Sequence, residues 1–208
     1  MKKIATWCKY ALIYSAGFLT SFSGALESLV KIPASYSELK KTYLYDTDFL
    51  SGHWSTNAEY LLNNGDSGLD INQPKMILNF DVSDDGSVKG EILSKEICDA
   101  LPITYVIILE SGEPGIRDFF FDRKFYLEQL HEGKMQAVAV LKLVKKDKKN
   151  SAIKFKVVGG GSFLPKEITF GKNLPQYKDD FKVLSDYCAE SPEKFWKEYF
   201  LKQGKSFK

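Results

Sequence analysis

The chain has 208 residues, enough for one domain with an appendage. Its 29 basic and 27 acidic side chains nearly balance, which argues against a general nucleic-acid binder. Three cysteines and two histidines, none paired at ligand spacing, exclude a structural zinc site, and no other cofactor is implied.

Met1 to Lys9 is basic, and Tyr10 to Leu26 carries no charge. Two readings of residues 1–31 stand side by side. In one, the segment is an uncleaved membrane anchor that extends to Leu29-Val30, since a span needs about 20 residues. In the other it is a signal peptide, with Ser23 and Ala25 at the −3 and −1 places of a cut after Ala25. Lys2, Lys3 and Lys9 favour an inside N-terminus and an exported domain. This implies a protein of the bacterial inner membrane whose main domain faces the periplasm. Cleavage near Ala25 would leave that domain soluble in the periplasm or secreted. Cys8 follows bulky Trp7 and is not in a lipoprotein context. Residues 32–48 read as a connector, stopped at Ile32-Pro33 and containing an amphipathic stretch over Ser35 to Tyr45.

Residues 49–172 read as a β domain. Leu50 to Tyr60 alternates, with Gly52, Trp54, Thr56, Ala58 and Tyr60 on one face. Met76, Leu78, Phe80 and Val82 form the apolar face of the next strand. Asp84-Asp85-Gly86 supplies a hairpin turn, and Val88, Gly90 and Ile92 return. Lys95 to Leu101 interrupts the pattern. Ile103 to Leu109 predicts a strongly apolar strand, Ile116 to Phe121 its return, and Phe125 to Leu130 another short run. Met135 to Val144 is apolar on both faces and predicts a central, buried strand. Lys145 to Asn150 is a charged turn. Ile153, Phe155 and Val157 alternate with lysines, Gly159-Gly160-Gly161 bends the chain, and Ile168 and Phe170 form a last strand. The sum is a mainly β fold: an antiparallel meander of about eight short strands with no helix between them, closed as a small barrel because closure removes exposed edges. Residues 173–208 predict one or two helices, with Ser191-Pro192-Glu193 as a helix start.

Gly52-His53-Trp54 at the head of the first strand resembles the Gly-x-Trp signature that opens lipocalin-like (calycin) barrels, and the meander after it is similar in order and length. The resemblance implies an interior cavity for a small apolar ligand, with Trp54 closing the barrel base.

Candidate chemistry is sparse. His53 and His131 read as surface histidines, and Glu91, Glu110, Asp118 and Asp122 as solvated strand carboxylates. Arg117, if it points inward, would be a buried charge in need of a partner and so a ligand contact, beside Trp54 and Tyr60. Lys145, Lys146, Lys148 and Lys149 form a basic turn that is either solvated or apposed to anionic lipid. Cys98 and Cys188 could pair in an oxidising compartment and pin the tail to the barrel; in the cytoplasm both would stay reduced. The expectation is a membrane-anchored β-barrel binding or interaction module without catalytic activity. The alternative is a carrier or sensor of a small ligand held in the cavity. An enzyme with an unrecognised site ranks below both.

Overall fold

The structure is a computed structural model and describes residues 47–59, 68–104 and 107–204. The N-terminal segment, most of the connector, Cys8 and Tyr60 lie outside the described residues. Among the described residues no helix is long and apolar enough to cross a membrane.

Eight antiparallel strands close into a barrel in chain order. A one-turn helix α1 (Thr47–Leu50) leads into β1 (Gly52–Ser55). There follow β2 (Met76–Val82), β3 (Val88–Ser94), a short helix α2 (Lys95–Ala100), β4 (Ile107–Ser111) and a 3-10 turn (Ile116–Phe119). Then come β5 (Lys124–His131), β6 (Lys134–Asp147), β7 (Ala152–Gly160), β8 (Glu167–Lys172) and a C-terminal helix α3 (Tyr177–Lys202). Closure is made where Trp54 and Ser55 of β1 pair with Lys172 and Gly171 of β8.

The barrel is filled. Alternate residues of every strand point inward, and Trp54, Leu78, Leu109, Phe125, Leu141 and Phe170 are each fully buried there. Phe80, Phe125, Phe155 and Phe170 form a chain of ring contacts with centroids 5.2 to 6.1 Å apart. Such offset and edge-on pairs satisfy the ring quadrupoles while excluding water. Outside the barrel, α3 covers Ile77 and Leu93 with Tyr177 and Leu184.

Several expectations are corrected. The first strand is four residues long rather than eleven. Leu50 closes α1, and beyond Thr56, whose amide still donates to the Met76 carbonyl at 3.0 Å, side chains take the place of the ladder: Ser55 Oγ accepts from the Asn57 amide at 3.0 Å, and Asn57 Oδ1 from the Glu59 amide at 3.0 Å. Short polar side chains compete for backbone donors in this way and lead the chain off a sheet. Helices do interrupt the strands. Ser94 Oγ accepts from the Ile97 amide at 3.1 Å and so starts α2, which is too short to show a helical period in sequence. Ile116 to Phe121 is not a strand, because Asp118 folds back to accept from the Gly115 amide at 2.7 Å and closes a turn. In the stretch Ile103 to Leu109, Ile103 is exposed, and the ladder of β4 starts at Ile107.

β6 is not buried on both faces. Ala139, Leu141 and Leu143 are buried, while Met135, Gln136, Ala137 and Val144 are exposed. The reason is length. At 14 residues β6 spans about 45 Å. β7 ends at Gly160, paired with Ala139, so residues 134–137 form a ladder with β5 alone. Gly160 ends β7 with φ at +61°, and a Cβ there would collide with the Val138 carbonyl oxygen.

The tail is one helix of 26 residues, and Ser191-Pro192 lies inside it rather than at its start. Pro192 cannot donate to the Cys188 carbonyl, while Ser191 Oγ donates to the Tyr187 carbonyl at 3.4 Å. An interior proline costs about 3 kcal/mol. Burial of Tyr177, Leu184 and Ser191 against the barrel offsets it.

Candidate binding groove

Where α3 crosses the barrel wall it does not lie flat, and a groove of about 660 Å³ opens beside it. One wall is the outer face of β3 and β4, with Lys89, Glu91 and Ile108. A second is α2 and the segment after it, with Leu101, Pro102 and Thr104. The third is α3, with Ser185, Ala189 and Pro192. The volume is that of a small-molecule pocket, and the floor is largely apolar.

Cys98 and Cys188 close the groove at one side. They are joined as a disulfide with Cα atoms 5.3 Å apart, which fastens α2 to α3. Tyr187 Oη, on the same turn of α3, donates to both carboxylate oxygens of Asp99 at 2.8 and 3.0 Å. That hydrogen bond raises the phenol above its ordinary value. On the opposite side Thr104 Oγ1 donates to Gln129 Oε1 at 2.9 Å and holds the segment after α2 to β5. One flank of the groove is therefore fixed by bonds between the two helices and the other by a bond to the barrel.

Asp81 and Glu91 line the sheet wall together with Lys89, and Glu110 and Glu128 adjoin it on the sheet outside the lining. Lys89 stands between Asp81 of β2 and Glu110 of β4 in the register, and Glu91 lies two residues on. Glu128 of β5 sits across from Ile108 in the next ladder. Burial raises the Glu128 carboxyl above its ordinary value, and the charge of Glu110 raises it further, against the pull of Lys89. A carboxylate held in this way gains from any cation brought near it.

The residues singled out in the sequence do not meet here. Trp54 is fully buried, with Nε1–H donating to the Leu50 carbonyl at 2.8 Å and Phe49 edge-on at 5.6 Å. Lys172 lies over the Trp54 ring and donates to the Asp48 and Phe49 carbonyls, each at 2.8 Å. Arg117 does not point inward: it is exposed on the 3-10 turn. The guanidinium that enters the protein belongs to Arg123. It donates to Ser111 Oγ at 2.8 Å, the Gly86 carbonyl at 2.7 Å and the Gly112 carbonyl at 2.9 Å, tying three hairpin ends together. His53 stacks on Tyr177 with ring centroids 4.5 Å apart, and His131 is exposed. No histidine lines the groove. Among the described residues no group of three or more His, Cys, Asp or Glu side chains is placed to hold a metal ion.

Sequence reasoning missed the groove because its walls come from distant parts of the chain, from Asp81 to Pro192. The one signal available was the cysteine pair, which marks where the tail returns to the sheet. The closed eight-stranded barrel is compatible with a calycin-like fold. No family model, curated protein or solved structure matches the chain.

Proposed function

We infer that the protein is a binding module without catalytic activity, and that its site is the groove under α3. The single observation that supports this reading is the pairing of a packed barrel interior with a fixed outer groove. A calycin-type carrier holds its ligand inside the barrel, and here that volume is occupied by side chains. A carrier or sensor built on this chain would therefore hold its ligand in the groove. An apolar floor beside Asp81, Glu91, Glu110 and Glu128 suits a ligand with an apolar body and a positive charge. Residues 1–31 would anchor the module in the bacterial inner membrane, or export it after cleavage near Ala25, with the β domain in the periplasm. An oxidising compartment agrees with a Cys98–Cys188 disulfide.

The test is a titration of the full chain with rhodamine 6G, an apolar cation, and with anilinonaphthalene sulfonate, an apolar anion. We expect the cation to bind with a Kd of about 10 μM and the anion at least tenfold more weakly. Ala189→Trp, which fills the groove from an exposed helix position, should abolish cation binding, and Glu91→Lys should reverse the preference. Equal binding of both dyes, unaltered by Ala189→Trp, would overturn the reading.

A further inference from the structure

A second surface, remote in sequence from the groove, carries an inference of its own. Phe120 and Phe121 follow the 3-10 turn and are 77% and 67% exposed. Adjacent phenylalanines this exposed are unusual, because each leaves most of its apolar area in water. Their backbone N–H groups are already satisfied: the Arg117 carbonyl accepts from both, at 3.1 and 2.9 Å. The two rings share a hollow of about 300 Å³ with Lys145 and Lys146 of β6.

Lys145 belongs to a cationic wall, and Lys146 follows it at the strand's end. On the outer face of the barrel Lys124 of β5 stands opposite Lys142 of β6, and Lys142 stands opposite Lys156 of β7. Lys145 stands opposite Lys154 one step along. Like charges in opposed positions destabilise a sheet, so a row of them needs a counter-charge from elsewhere. Glu167 answers Lys154 at 2.6 Å, and Asp147 answers Lys145 at 3.1 Å. The local excess remains. Segments 116–124 and 142–150 together hold eight basic and three acidic side chains, whereas the whole chain has a net charge of +2.

We propose that this rim, with Phe120 and Phe121 at its tip, docks on an anionic membrane surface. Exposed rings whose backbone donors are paired can enter the boundary between headgroups and acyl chains without carrying unpaired N–H groups with them. Lysines around them meet lipid phosphates while their aliphatic stems lie along the apolar layer. Charge complementarity and the paired rings favour a bilayer over a soluble polyanion, which would use the lysines and leave the rings in water. The inference does not rest on the groove, and its test does not involve it.

The experiment uses the full chain with Cys8→Ser and Phe121→Cys, labelled at the new cysteine with nitrobenzoxadiazole, a small apolar reporter that keeps an apolar group at the tip. The protein is placed in vesicles of phosphatidylcholine alone and in vesicles with about 30% phosphatidylglycerol. Because both preparations contain the whole chain, an anchor in residues 1–31 contributes equally to both. Expected is an emission rise of about threefold with a blue shift in the anionic vesicles only, largely lost at about 0.5 M salt. Lys146→Glu with Lys149→Glu should abolish the rise, and Lys146→Arg with Lys149→Arg should retain it. The proposal is overturned by equal emission in both vesicles. It is overturned as well by a rise that survives charge reversal, or by one produced by heparin or RNA but not by anionic vesicles.

Discussion

The ring of Phe80 lies against the backbone of Gly90: a Cβ on Gly90 would stand 2.5 Å from Phe80 Cδ1 and 2.5 Å from the Asn79 carbonyl oxygen. The two residues are paired across β2 and β3, and the missing side chain is what lets Phe80 lie flat and reach Phe125 and Phe155. The packed interior thus depends on one glycine. Gly90→Ala should cost about 1–3 kcal/mol, as overpacking does. Urea unfolding followed by the fluorescence of buried Trp54 measures it. An unchanged midpoint would mean that the barrel centre has room to spare, and would revive an interior ligand.

Cys98 and Cys188 close a loop with a sequence separation of 90. A bridge over such a loop contributes about 4–5 kcal/mol in the chain-entropy model. Cys98→Ser and Cys188→Ser should each lower stability by that order, and reductant should lower wild type to the same level. Equality of the reduced wild type and the variants is the informative result, because it separates loss of the bond from loss of thiol packing.

Asp180 of α3 accepts from Asn57 Nδ2 at 2.7 Å and joins the end of β1 to the last helix. Asn57 is 5% exposed, so loss of the acceptor leaves a buried amide without its partner. Asp180→Ala should cost about 1.5–3 kcal/mol, the range for hydrogen bonds to charged groups. Asp180→Asn, which keeps an acceptor oxygen, should cost less. Amide hydrogen exchange over residues 177–184 should rise in the first variant and stay near wild type in the second.

Glu128 gives a pH dependence of known sign. Its carboxyl is raised in the folded protein, chiefly by burial and then by Glu110, so the native state binds this proton more tightly than the unfolded chain. Ionised Glu128 therefore opposes folding at neutral pH. That opposition is relieved as pH falls through the raised value, with the relief complete below the ordinary carboxylate value of about 4.5. Glu128→Gln should raise stability slightly at pH 7 and remove this part of the acid-side gain. A variant less stable than wild type at pH 7 would show that the charge is compensated by Lys89.

The barrel was legible because its information is local. Met76, Leu78 and Phe80, or Ile153 and Phe155, alternate with polar residues at the two-residue period of a strand, and short turns such as Asp84-Asp85-Gly86 force neighbours into antiparallel pairs. What failed was also local but of another kind. Ser94, Asp118 and Ser55 each spend a side-chain oxygen on a nearby amide, and hydropathy does not register that competition. β6 misled for a third reason. An apolar strand is buried only where partners flank it on both sides, and β7 leaves at Gly160.

By itself the sequence determined the class of fold, the meander order, and the inward face of most strands, since alternation and turn chemistry act between residues close in the chain. It also singled out the two cysteines that join α2 to α3. Only the tertiary structure decided which apolar side chains pack inside the barrel and that Trp54 is fully buried among them. It alone left Arg117 exposed and gave the half-buried Arg123 the bonds to Gly86, Ser111 and Gly112. It alone brought β3, α2 and α3 into one groove, and Phe120 and Phe121 beside Lys145 and Lys146. Volume and juxtaposition are properties of contacts between distant residues, which barrel closure creates and no local pattern encodes.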